Sequence, residues 1–153
     1  MNSHDKRNSF KFPDGGLLKI KGVVGEAEIR NLTQFDAKGE PYLFVVKNGK
    51  ATNVTIGRGT QLESVVRTLD KYGLKCTSRE FAILPYNHKK GEFSTHGDSG
   101  SIVVDRDGRI VGLLTAGSGS IEVIDVTYIT PCFWLQKRIK QAFPNSYLYP
   151  MVD

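Results

Sequence analysis

Short apolar runs separated by turn residues dominate this chain, and their spacing predicts strands. Residues 17–24, Leu-Leu-Lys-Ile-Lys-Gly-Val-Val, alternate loosely and predict a first strand, which 27–32 extend after a bend. Residues 42–47, Tyr-Leu-Phe-Val-Val-Lys, predict an apolar strand, and Asn48-Gly49 behind them is a hairpin signal. Residues 51–58 are its return strand, and 61–68 predict a further short one. Residues 70–76 read as a turn, 79–84 as a strand closed by Pro85, and 86–96 as a polar loop. Strands at 101–105 and 109–115 meet at an Asp107-Gly108 turn. A Gly/Ser loop at 116–120 follows, then a last strand at 122–129 that Thr130-Pro131 ends. At 132–143 the period changes. Phe133, Trp134, Leu135, Ile139, Ala142 and Phe143 form one broad apolar helix face. Pro131 suits the first turn of that helix and Thr130 its cap.

Strands recurring every ~8–12 residues predict an all-β fold, a six- to seven-stranded antiparallel barrel with a C-terminal helix. The 153 residues fit one domain. Residues 1–16 are polar and linker-like, 17–146 carry the barrel and helix, and 147–153 are a tail. No apolar run approaches the ~20 residues of a membrane span, so no membrane partner is expected. The opening MNSHDKRNSF has no apolar core and shows no signal peptide. Cys76 and Cys132 allow at most one bridge, which with that opening points to a reducing, intracellular compartment. Cys132, at the predicted helix start, is expected to be a buried structural cysteine; the alternative is a thiol of lowered pKa. The net charge of +5 includes Lys137, Arg138 and Lys140, which suit the C-terminal half of a helix. No aromatic–basic interleaving accompanies them, so a nucleic-acid partner is disfavoured.

The candidate chemistry sits at Gly97-Asp98-Ser99-Gly100, which runs into Ser101-Ile102-Val103-Val104. Flanking glycines permit a tight turn that exposes the serine hydroxyl. The amides of Gly97 and Ser99 are then expected to line one pocket, an oxyanion hole for acyl transfer. The stretch FSTHGDSGSIVVDRDGRIVGLLTAGSG, followed by DVTYITPCFWLQKRI, resembles the chymotrypsin/trypsin-like serine protease superfamily, including its disulfide-poor HtrA-like and fungal branches. Upstream, FVVKNGKATNVTIGRG resembles a hairpin that opens the second barrel in several members. The resemblance covers about residues 40–143 and extends to uncharacterised trypsin-like proteins of fungi.

That resemblance implies Ser99 as nucleophile, with Gly97 and Ser99 as the oxyanion hole. It places Phe93 at the base of the primary specificity pocket, where trypsin has an aspartate, so an Arg/Lys preference is not implied. It places His96 on the pocket rim, and Thr115, Ala116 and Gly117 along a cleft that pairs with a peptide or protein substrate as an added strand. Such a mechanism needs no metal and no cofactor, and none is expected. In activated trypsins the aspartate at the position of Asp98 pairs with a freed N-terminus. Other branches need no such cut, and Val23-Val24-Gly25 lies too close to Ser99 to be an activation site.

A serine hydroxyl needs an adjacent base, and in this superfamily the His and Asp come from the first barrel. None of the three histidines fits that role. His4 lies in the linker-like segment, His88 in a polar loop, and His96 on the substrate side of the nucleophile turn. No carboxylate in the sequence can be assigned as the orienter. Three readings stay open. The chain is the C-terminal half of a larger protease, or an inactive homologue that keeps the cleft as a binding surface, or a basic nucleic-acid-binding β-domain. The first expects a missing first barrel, or self-association through the barrel face left exposed.

Overall fold

The computed structural model describes residues 16, 18–69, 71–73, 75–86, 91–118 and 126–148. Their elements run α1 (Glu26–Arg30), β1 (Gln34–Phe35), β2 (Pro41–Gly49), β3 (Asn53–Leu69), β4 (Lys75–Pro85), β5 (Ile102–Asp105), β6 (Ile110–Ser118), β7 (Val126–Pro131) and α2 (Cys132–Ala142). The strands pair antiparallel in the order β2-β3-β4-β7-β6-β5, and β5 pairs back onto β2. This closes a six-stranded barrel. The extra strand, β1, pairs with the first residues of β2.

Closure explains why β2 is apolar on both faces. Successive side chains of a strand point to opposite sides. Leu43 and Val45 enter the barrel interior with Phe81, Ile83, Phe93, Val103, Val111, Leu114 and Ile129. Phe44 and Val46 form a second, outer cluster with Val104, Ile110 and Cys132, against which Leu18, Ile20 and Val23 pack. The N-terminal segment therefore covers the outer face of β2 and β5.

That segment departs from expectation. The strand predicted at 17–24 is reduced to a single parallel bridge between Val23 and Ile110. Gly22 has φ +130°, which interrupts extended pairing there. The predicted extension at 27–32 contains α1 instead. Glu28 accepts from the Gly25 amide, and Glu26 pairs with Arg30 one turn on. Ile29 and Leu32, three apart, then drop into the barrel core. The strands predicted at 51–58 and 61–68 are one strand, β3, with a register irregularity between Gly59 and Glu63. Strand β4 starts at Lys75, before the predicted 79, because it pairs with the far end of β3. Strand β6 continues through Ser118, into the stretch predicted as loop. Helix α2 begins where predicted, but Pro131 is its N-cap and no side chain caps it. The Thr130 hydroxyl donates to Glu80 instead.

Cys132 is buried in the outer cluster, and burial pushes its thiol pKa up. The expectation of a buried structural cysteine holds. No helix among the described residues is long and apolar enough to cross a membrane.

Candidate active site

The turn carrying Ser99 connects the buried Phe93-Ser94 segment to β5. Gly97 and Gly100 have φ values of +101° and +85°, which side chains with a Cβ disfavour. The alternation of anchored and unanchored amides is the main feature. The Asp98 amide donates to Thr95 O (3.1 Å), the Gly100 amide to Leu114 O (2.7 Å) and the Ser101 amide to Asp98 O (3.0 Å). The amides of Gly97 and Ser99 donate to no group among the described residues. Ser99 itself is exposed.

The Asp98 side chain fixes this turn to the β2–β3 hairpin. Lys47 follows Leu43 and Val45 at alternate positions of β2, so its side chain enters the barrel. There it meets Asp98 at 3.0 Å, and both side chains are 0% exposed. Thr52 Oγ1 donates to Asp98 Oδ2 (2.6 Å) and accepts from Lys47 Nζ (2.5 Å). The Ala51 amide donates to Oδ1 at 2.8 Å, the Thr52 amide to Oδ1 at 3.3 Å and the Thr95 amide to Oδ2 at 3.2 Å. Burial by itself would raise the carboxyl pKa. The bonds from Thr52 and Lys47, then the Ala51 and Thr95 amides, outweigh it and hold Asp98 well below the usual carboxylate range. Gly49 leaves the space this cluster needs: a Cβ there would stand 2.3 Å from Asp98 Oδ1.

The other anticipated residues are placed as follows. Phe93 is 1% exposed, a core ring packed against Gly57, with Lys47 Nζ 5.5 Å from its centre. The pocket floor expected at Phe93 is therefore a position inside the barrel. Beside it, the Ser94 and Thr127 hydroxyls bond at 2.6 Å. His96 is exposed next to Gly97 and bonds to no described residue. His4 and His88 lie outside the described residues. Thr115, Ala116 and Gly117 lie on the last part of β6, which pairs with β7 as far as Ser118 but with β5 only as far as Leu113. From Thr115 on, one backbone edge of β6 is open among the described residues. No group of three or more His, Cys, Asp or Glu is gathered for a metal among them.

Two residues of this region were missed at the level of sequence. Lys47 had a signal, its alternate position behind Leu43 and Val45. Glu80 had none. It is 5% exposed and accepts from the Thr130 hydroxyl at 2.9 Å and the Thr115 hydroxyl at 3.3 Å.

A closed six-stranded antiparallel barrel, a glycine-flanked serine turn anchored into its interior, and a helix directly after the last strand are all present. The fold is a closed six-stranded antiparallel barrel with one extra strand and a C-terminal helix. No protein-family model and no curated protein matches the chain. Among solved structures it is similar to the chymotrypsin of Cellulomonas bogoriensis, at 23% identity and a TM-score of 0.46, over 67% of this chain and 47% of that one. It is also similar to the active form of the Rv3671c protease from M. tuberculosis, at 13% identity and a TM-score of 0.49, over 84% of this chain and 50% of that one. The chain thus spans about half the length of each.

Proposed function

We propose that this chain is the nucleophile-bearing barrel of a trypsin-like serine endopeptidase. The anchored turn carries the reading. Its glycines and buried aspartate hold Ser99 at the surface, with two amides that no described residue engages. In the reaction, Ser99 Oγ adds to the scissile carbonyl and gives up its proton to a base. The resulting oxyanion accepts from the Gly97 and Ser99 amides. The amine leaves with the proton, and water releases the acyl group by the same steps. The open edge of β6 at Thr115, Ala116 and Gly117 suits an extended peptide added as a strand. His96, exposed beside the turn, is assigned to the rim.

No histidine among the described residues reaches Ser99 as a base, so the isolated chain is expected to have little or no activity. A first barrel, supplied by a longer protein or a partner, would complete it. The open edge of β6 also favours a second reading, a peptide-binding module that no longer cleaves.

A peptide boronate, added with free imidazole to take the serine proton in place of the missing base, separates the two. Under the first reading it forms a tetrahedral adduct on Ser99 Oγ, seen by boron NMR and abolished by Ser99→Ala. Peptide binding without an adduct, and with equal affinity in Ser99→Ala, would establish the second.

A further inference from the structure

The glycines that permit the Ser99 turn also leave it soft. Gly97 and Gly100 take φ values that favour glycine, and glycine holds no single conformation by itself. What fixes the turn has to come from elsewhere in the chain, and it comes through Asp98, which lies between the two unengaged amides. The Asp98 carbonyl accepts the Ser101 amide. A trans peptide points its C=O and N–H in opposite directions, so this bond turns the Ser99 amide away from Ser101. The Asp98 amide donates to Thr95 O, and the Thr95 amide donates back to Asp98 Oδ2. That pair closes the loop in which the Gly97 amide sits.

The carboxylate is held in turn by the β2–β3 hairpin. The Ala51 and Thr52 amides donate to Oδ1, and Lys47 Nζ, Thr52 Oγ1 and the Thr95 amide donate to Oδ2. A carboxylate accepts about four hydrogen bonds, so Asp98 has no capacity left for a group from outside the barrel. Of its donors only Lys47 is charged, and Lys47 is the one cation buried among the described residues. The same ammonium donates to Thr52 Oγ1 and lies 5.5 Å from the ring centre of Phe93, on the segment that leads into the turn. Without it, Asp98 would be a buried anion with no counter-charge. The carboxyl escapes that state by taking up a proton or by swinging out to water, and either loosens the turn.

We infer that Lys47 is a positioning residue: its ammonium, acting through Asp98, holds the Gly97 and Ser99 amides in place to receive an oxyanion. This rests on the reading of Ser99 as nucleophile. Lys47 touches no substrate and moves no proton. The consequence is a division of labour. The hairpin inside this barrel shapes the oxyanion hole, and a group from outside supplies the base without shaping the turn. The hole is thus already formed in the chain by itself.

The peptide boronate tests this in the full chain, with free imidazole present. Ser99 Oγ bonds to boron, the serine proton passes to imidazole, and the boron becomes tetrahedral and anionic. One of its oxygens then stands where the oxyanion would lie. Boron NMR gives the affinity, and the amide signals of Gly97 and Ser99 report hydrogen bonds to that oxygen. In the wild type both signals are expected to move on adduct formation. Lys47→Met, under conditions where its urea curve shows it folded, is expected to bind the boronate about tenfold or more weakly. Both amide shifts should also be smaller at saturation, and Lys47→Arg should recover part of the affinity. Val111→Ala, which thins the core and leaves the bonds of the turn in place, should bind as wild type. An equal loss in Val111→Ala would show that stability alone is being read and would overturn the role of Lys47. Equal affinity in folded Lys47→Met and wild type would overturn it too, and would leave Ser99 as nucleophile. No adduct in the wild type would overturn both readings. Should Lys47→Met fail to fold, Thr52→Val, which removes the hydroxyl between Lys47 and Asp98, reads the same link: weaker binding supports it, and unchanged binding counts against it.

Discussion

Lys47 and Asp98 hold opposite charges inside the barrel at 3.0 Å, and neither can be removed alone without stranding the other. Lys47→Met is expected to cost about 3–5 kcal/mol, the usual effect of breaking a buried pair from one side, measured by urea unfolding. Acid should act in the same direction. The folded carboxyl of Asp98 titrates below its unfolded value of about 3.9, because hydrogen bonds outweigh burial. Its contribution is therefore full above that unfolded value and is lost as pH falls through the depressed one. Asp98→Asn should be less stable at neutral pH and lose less on acidification, read as a urea midpoint against pH. Cys132 offers a separate check. Its buried, pKa-raised thiol should react with a thiol reagent in the native protein far more slowly than after unfolding. Ser99 and its glycines were legible in the sequence because a tight turn that exposes a serine needs those residue types side by side. Glu80 was not, because a polar residue in a strand looks the same whether it faces water or a pair of threonines.

At the scale of elements, β3 and β4 outrun the barrel. Strand β4 pairs with β7 only over Phe81–Ile83, whereas its pairing with β3 continues out to Leu69 and Lys75. The outer part is a two-stranded ribbon with Leu62 and Val65 exposed. Such ribbons are marginal without a third strand, so amides near Val65 and Thr77 should exchange hydrogen much faster than that of Val45 in the core. Equal protection would show that something else packs on the ribbon. Most strands were legible, since period-two runs and the Asn48-Gly49 and Asp107-Gly108 turns are local signals. Helix α1 was hidden because its apolar residues, Ile29 and Leu32, are too few to show a helical period. The β3 irregularity was read as a break because Gly57, Gly59 and the polar residues near them resemble a turn.

At the scale of the molecule, α2 presents Trp134, Ile139 and Phe143 to solvent, with Phe143 68% exposed, and Tyr147 and Leu148 follow beyond its end. Exposed apolar side chains gathered on one face favour association. The chain alone is expected to self-associate in sedimentation experiments, and Ile139→Lys with Phe143→Glu to shift it toward monomer. Monomer at all concentrations in the unsubstituted chain would count against this. A natural partner covering the same face would bury these side chains and suppress the association.

By itself the sequence determined the strand-rich barrel, its closing helix and the serine turn, because alternation, turn residues and a glycine-flanked serine are written in neighbouring positions. Only the tertiary structure decided which charges are paired. Lys47 and Asp98 are 51 residues apart, and Glu80 and Thr130 are 50 apart. Their contacts exist because β2, β4 and β7 close into one ring, and a buried charge takes its meaning from whatever that ring places against it.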